Sequence, residues 1–415
     1  MVSRADDALR STAADAVARV EYLDAVSGLL WPGSSRMHGR GAQPRSENEM
    51  LIAPSFKVPR LTVPAGNRRA AATAMRAFGH WPTRRARRQR VMLAAFARLG
   101  LTPWAMAGRL RLDPDEPSID SYLAEIFGQP LITSLALTPR RANRKPVLHL
   151  LDARGRSVGW VKIGVDDLTR RLVRHEGAAL QALGGTIAPN LHAPVVLHRG
   201  TWHGLDVLVL SPLPLTRTTM PSSAALGRAM RAVATSTLND DAAHPDTYAN
   251  VLADRAGEIA LRTSAADHDA VDLLRGILDT ARSARSAWDL PRGSCHGDWT
   301  PWNCGESDGQ VYLWDWERCA ASVPLGFDSL HYRMHHAMIR CRVQPASAAR
   351  DCLREAPEVL GPWGLRSRDA ELVAVLYLVD IALRYLADDQ RAAGGFGGRV
   401  EAWIIPALLD WQDRG

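Results

Sequence analysis

Apolar residues at three- and four-residue steps over Ala5–Leu30, among them Leu9, Ala13, Val17, Val20 and Leu23, predict an amphipathic helix that Trp31-Pro32-Gly33 ends. The polar, Gly-, Ser- and Arg-rich stretch Ser34–Asn48 reads as a linker, Leu51–Val63 with its spaced prolines as extended chain, and Arg68–Phe78 and Arg84–Leu99 as helices. From Leu131 the pattern changes to short apolar runs at Leu131–Leu137, Val147–Leu151, Val158–Ile163, Val195–Leu197 and Val207–Leu210, with a helix at Leu168–Leu183 among them. Such a texture belongs to a small sheet carrying one helix. After Pro212 and Pro214 helical spacing returns at Ala224–Leu238, Tyr248–Leu261 and Ala266–Trp288. Short strands surround Val311–Trp314, and helices resume at Ser329–Val343 and Glu371–Asp388.

With 415 residues, 46% of them hydrophobic, the chain can bury more than one core. Three regions are expected: a basic extension over 1–115, a sheet-bearing lobe over 116–213 and a helical lobe over 214–415. Asp6, Asp7, Asp15, Glu21 and Asp24 interrupt any apolar leader, so a cytoplasmic location is expected. Five cysteines without a C-x-x-C pair indicate neither a zinc knuckle nor a disulfide framework.

The net charge of +7 is uneven, because residues 67–111 hold eleven arginines and no acid. That segment is where an anionic surface or partner is expected. Aromatic residues are not interleaved there as a stacking groove needs, which disfavours nucleic acid. Val91–Gly108 is apolar behind the basic run, but it is alanine-rich and broken by Arg98 and Pro103, so no transmembrane span is expected.

The chemistry concentrates in His296-Gly297-Asp298-Trp299-Thr300-Pro301-Trp302-Asn303 and in Asp315-Trp316-Glu317, with Asp315 twelve residues after Asn303. Phosphoryl transfer needs positioned metals and an oriented hydroxyl more than covalent chemistry, and two acids with an amide can supply that. In this reading Asp298 accepts the proton of an acceptor hydroxyl. Asn303 binds magnesium, and Asp315 bridges the metal to nucleotide phosphates. His296 braces the loop.

The phosphates also need a cation, and Lys162 is one of only three lysines in a chain whose default cation is arginine. Glu176, fourteen residues on in the following helix, can face back to pair with it. Thr138–Pro146 would cover the phosphates with Arg144 and Lys145, and the strand running into Ser211 and Leu213 would present backbone groups to the base. Asp328, His331 and His335 share a helix face with a metal-like spacing, although a satisfied cluster is the plainer reading.

Val161–Gly164 (VKIG), Arg174–Leu183 (RHEGAALQAL), Cys295–Asn303 (CHGDWTPWN), Leu313–Glu317 (LWDWE) and Pro324–Leu330 (PLGFDSL) together resemble the aminoglycoside phosphotransferase-like branch of the protein-kinase fold, with its choline, homoserine and sugar kinases. The resemblance covers roughly Leu131–Leu330. It implies an α+β, bilobal protein-kinase-like fold: a small antiparallel sheet in a nucleotide-binding N-lobe and a mainly helical C-lobe, to which the apolar spacing over 1–115 adds a mostly helical extension in front. It also implies ATP, or another nucleoside triphosphate, and Mg2+ as cofactors, a small hydroxylated molecule as acceptor, and a bracing role for Asp328. A peptide kinase of a biosynthetic pathway and a non-catalytic scaffold docking through its basic segment are the alternatives. The Asp-Phe-Gly and Ala-Pro-Glu segments of protein kinases are lacking, which leaves a biosynthetic peptide substrate open, and the intact Asp298, Asn303, Asp315 and Lys162 speak against the scaffold.

Overall fold

The computed structural model describes residues 13–38, 48–55, 57–77, 84–101, 108–215, 219–236, 238, 247–262, 265–283, 290–394 and 396–414. Residues 5–12, 78, 237 and 284–288 of the expected helices lie outside them, as do 39–47 of the expected linker and 102–107 of the apolar stretch. The chain forms two compact units, the first from residues 1–140, 144–174 and 196–212, the second from 141–143, 175–195 and 213–415.

In the first unit nine strands make one antiparallel sheet in the order β1 (Ser35–His38), β4 (Gly108–Arg111), β2 (Glu49–Pro54), β3 (Pro59–Pro64), β5 (Leu131–Ala136), β6 (Val147–Asp152), β7 (Ser157–Gly164), β11 (Leu205–Leu210) and β10 (Val196–Trp202). Side-chain alternation gives the sheet two apolar faces. Met50 and Ile52 of β2, with Leu148 and Leu150 of β6, pack with Leu23, Val26 and Leu30 of the helix Ala13–Leu30. Leu51, Ala53 and Leu151 pack on the other face with Ala70, Ala71 and Ala74 of the helix Arg68–Ala77, and with Ala94 and Ala97 of the helix Arg84–Leu99. The last of these helices turns Val91, Met92, Phe96 and Leu99 outward.

The sheet is not confined to 116–213 as expected, and the chain expected to be extended over 51–63 forms β2 and β3. β1 to β4 continue the same sheet, which is joined where Leu61 of β3 faces Ala136 of β5. Pairing between segments distant in sequence leaves no local trace. β1 is a polar edge strand inside a stretch whose composition reads as linker.

The second unit is helical. Its helix Ser367–Ala387 has no exposed residue from Leu372 to Leu383, and a helix apolar on all sides belongs at the centre of a bundle. Tyr248–Ala260, Ala265–Ser283, Phe327–Arg340, Pro345–Leu360 and Ile404–Gln412 pack around it. Two small sheets complete the unit: β12 (Arg292–Cys295) with β15 (Ala320–Pro324), and β13 (Cys304–Ser307), β14 (Gln310–Leu313), β9 (Leu191–His192) and β8 (Thr186–Ala188) in that order. No helix among the described residues is long and apolar enough to cross a membrane.

Candidate active site

Asp308 and Gly309 both take positive φ, so β13 and β14 close through a tight two-residue turn. That turn sets the loop 296–303 beside the segment 314–319, and Trp314 N–H donates to Asn303 O at 3.0 Å. The loop itself is gripped by its backbone. Asp328, in the first turn of the helix Phe327–Arg340, accepts from His296 N–H at 2.8 Å and from Gly297 N–H at 3.0 Å. Burial pushes the Asp328 carboxyl up to about 6, although these two donors favour its charged form. Gly297 has φ +77, and a Cβ there would lie 2.0 Å from Arg318 O, so no other residue fits.

His296 ties the loop to the end of β14. Its Nδ1 accepts from Asp298 N–H at 3.3 Å, which leaves Nε2 as the protonated nitrogen that donates to Trp314 O at 3.1 Å. Arg384 donates to Gly297 O at 2.6 Å and, with Arg255, flanks Asp380 at 3.1 and 2.5 Å. Burial alone would raise the Asp380 carboxyl, but the two guanidinium groups outweigh it and hold the group below the ordinary carboxylate range. Asp380→Ala is expected to destabilise the protein by about 3 kcal/mol, read from the urea midpoint, because it strands a buried guanidinium. A change below about 0.5 kcal/mol would contradict this role.

At the loop's apex the Asp298 carboxylate is held at both oxygens. Asn303 Nδ2 donates to Oδ2 at 2.8 Å, and His331 Nε2 lies 3.1 Å from Oδ1. The side chain is 30% exposed. Removal from water, and then the charge of Asp315, raise its pKa above the usual carboxylate range. Asn303 is nearly fully buried. With its amide nitrogen committed to Asp298, its amide oxygen is the atom it would offer to a cation.

Carboxylate oxygens of Glu176, Asp315 and Glu317 all lie within 4.8 Å of one another. Asp315 takes φ +71, in the left-handed region that Asp tolerates better than most residues. Glu176, fully buried, accepts from Trp316 N–H at 3.1 Å, and Glu317 accepts from Asn143 Nδ2 at 2.9 Å. The donors are all hard oxygens, a set that fits magnesium rather than a softer metal.

The structure therefore brings Asp298, Asn303, Asp315 and Glu176 together within one unit. Glu317 and His331 join them without having been given these roles by the sequence. Glu317 is legible only as the end of the LWDWE string, and His331 only as one of three clustered histidines. The other expected residues are placed by their own elements. Lys162 sits on β7, opposite Val147 and Leu208, and Ser211 follows β11, both in the first unit; the half-buried Leu213 opens the last stretch of the second.

Arg144 and Lys145, expected as a charged cover for phosphates, lie in the first unit. The Arg144 guanidinium stacks 3.4 Å over the Tyr22 ring, reaches Ala18 O at 3.4 Å and is held down to about 10 by burial, and Lys145 is buried. The helix Ala13–Leu30 packs there, which no pattern in 138–146 announces.

No protein-family model and no curated protein matches the sequence. Solved structures are similar to it. A thermostable mutant of the aminoglycoside phosphotransferase APH(4)-Ia, in a ternary complex with ADP and hygromycin B, matches 70% of this chain and 99% of its own, with a TM-score of 0.46 and 16% identity. For the gentamicin complex of APH(2")-IIa the values are 72%, 96%, 0.43 and 14%. For choline kinase LicA from Streptococcus pneumoniae they are 67%, 89%, 0.39 and 15%. The chain is thus similar in structure, at low sequence identity, to aminoglycoside phosphotransferases and choline kinase.

Proposed function

We propose that this protein is a cytoplasmic phosphotransferase that uses ATP, or another nucleoside triphosphate, with magnesium to phosphorylate a hydroxyl of a small molecule such as an antibiotic, sugar or amino alcohol. The observation that carries this reading is Asp298, a partly exposed carboxylate fixed at both oxygens and close enough to Asp315 for that charge to raise its pKa. Asp298 takes the proton from the acceptor hydroxyl as its oxygen bonds to the terminal phosphorus and the nucleoside diphosphate leaves. Asn303 and Asp315 would hold the metal, with Glu176 and Glu317 beside them. Magnesium, when bound, neutralises charge on the phosphate oxygens.

Lys162 binds the phosphates in this reading, and Ser211 and Leu213 flank the base through backbone groups. In the same reading Lys145 and Arg144, the latter stacked on Tyr22, add charge for the phosphates. An anionic surface is the partner proposed for residues 67–111, where the outward row of Val91, Met92, Phe96 and Leu99 accompanies the arginines. Co-sedimentation with anionic but not zwitterionic vesicles tests it, and equal binding to neither would remove it.

Millimolar ATP with magnesium is expected to raise the melting temperature by several degrees, and labelled ATP to yield a phosphorylated product in a screen of aminoglycosides, nucleoside antibiotics, sugars and cell extract. Transfer only to a peptide in the extract would favour the biosynthetic peptide kinase. Absence of any nucleotide stabilisation would favour the non-catalytic scaffold.

A further inference from the structure

Behind Asp298 runs a chain of buried side chains that the transfer step does not itself require. Tyr377 Oη lies 3.0 Å from His331 Nδ1, and His331 Nε2 lies 3.1 Å from Asp298 Oδ1. Tyr377 is 2% exposed and His331 3%. Burial pushes the Tyr377 hydroxyl well above its ordinary range, so it keeps its proton and can donate it. The same burial, with Arg384 and His296 nearby, holds His331 neutral. A neutral imidazole carries one N–H. If Nδ1 accepts from Tyr377, Nε2 must be the donor, and its proton points at the carboxylate.

Helical spacing makes this a single clamp. On the helix Phe327–Arg340, Asp328 and His331 are three apart and share a face, so one helix holds both the loop backbone and the side chain of Asp298. On the helix Ser367–Ala387, Tyr377 and Arg384 are seven apart, and they reach His331 and Gly297 O. The His331 ring is further fixed by stacking on His335, with centroids 4.2 Å apart.

We propose that His331 is the positioning residue of the base: Tyr377 holds it in the Nε2–H tautomer, and it fixes the Asp298 carboxylate in the plane that Asn303 grips from the other oxygen. This rests on the reading of Asp298 as the base. With one oxygen bonded to His331 and the other to Asn303, the carboxylate cannot rotate, and the remaining lone pairs point in fixed directions for an incoming hydroxyl. Misplacement by about 1 Å can cost about a hundredfold in rate.

The test compares His331→Ala, His331→Gln and Tyr377→Phe with the parent protein, using magnesium ATP and an acceptor found in the screen. His331→Ala is expected to lower kcat between about tenfold and a hundredfold, with KM for ATP changed less than about twofold. His331→Gln, which can place an amide N–H near the same point, should recover most of the loss. Nitrogen-15 NMR of the histidine rings should show His331 as the Nε2–H tautomer, and a mixture in Tyr377→Phe. That readout needs no turnover, so it decides even if the alanine variant does not fold.

A Nδ1–H tautomer in the parent protein would overturn the proposal. So would a glutamine variant that folds normally yet is no faster than alanine. Undiminished transfer by Asp298→Asn, with the tautomer as expected, would instead overturn the assignment of the base.

Discussion

Asp298→Asn is expected to reduce phosphate transfer about a thousandfold or more, within the range that a positioned general base contributes, while nucleotide affinity changes less than about threefold. The amide is nearly the same size as the carboxylate, so packing around the loop should survive. Its chemistry does not. Asparagine offers one acceptor oxygen where Asp298 has two, and both are in use: Oδ2 receives Asn303 Nδ2 and Oδ1 faces His331 Nε2. Whichever way the new amide turns, its NH2 confronts a donor, and no proton acceptor of adequate strength is left for the hydroxyl. Affinity for magnesium ATP, read by thermal shift or calorimetry, should persist because Asp315, Glu176 and Glu317 are untouched. Transfer within about tenfold of the parent rate would remove Asp298 from the base role.

The second large effect is expected at Asp315. Asp315→Ala should abolish magnesium-dependent transfer and the extra stabilisation that magnesium gives with ATP, because it takes one of three clustered carboxylates and a charge that raises the Asp298 carboxyl. The backbone complicates a simple reading of the alanine variant. At φ +71 alanine is disfavoured by about 1–2 kcal/mol, whereas asparagine tolerates the left-handed region. Asp315→Asn therefore separates the two effects, since it should keep the melting temperature of the parent protein and still lose the response to magnesium. If the asparagine variant binds ATP with the same magnesium dependence as the parent, the metal is not held at this residue.

Tyr248–Ala260, Ala265–Ser283 and Phe327–Arg340 of the second unit were legible because each buries one stripe on the bundle, which writes a 3.6-residue period into the chain, whereas Pro345–Leu360 and Ile404–Gln412 were not read. Tyr248–Ala260 is found within one residue of the expected Tyr248–Leu261. Strands β5, β6, β7 and β11 were legible as short apolar runs. Of the sheet's other half only β2 and β3 were legible, as the extended chain over 51–63. β1 and β4 are specified by pairing between segments about seventy residues apart, and β1 at the edge needs no apolar side chain to be in place. In the site, Asp298, Asn303 and Asp315 stand in short strings whose residue types have few other reasons to occur together.

Glu317 ends one of those strings, but its place beside Asp315 and Glu176 arises from the fold around the β14 end. His331 lies a helix away from the loop it touches. Arg144 illustrates the converse, a cation that its neighbours in sequence make available to phosphates and that a helix over a hundred residues earlier in the chain draws into packing on Tyr22.

Sequence alone singled out Asp298, Asn303 and Asp315, with their loops, as the proposed oxygen donors, since chemistry restricts which residues can accept a proton or bind a hard cation, and local spacing announced most of the helices. Tertiary structure decided how those donors are oriented: which oxygen of Asp298 meets Asn303 and which meets His331, which acids cluster with Asp315, and how many strands the sheet contains. Orientation depends on contacts between residues remote in the chain, whose free energies no local window of sequence contains.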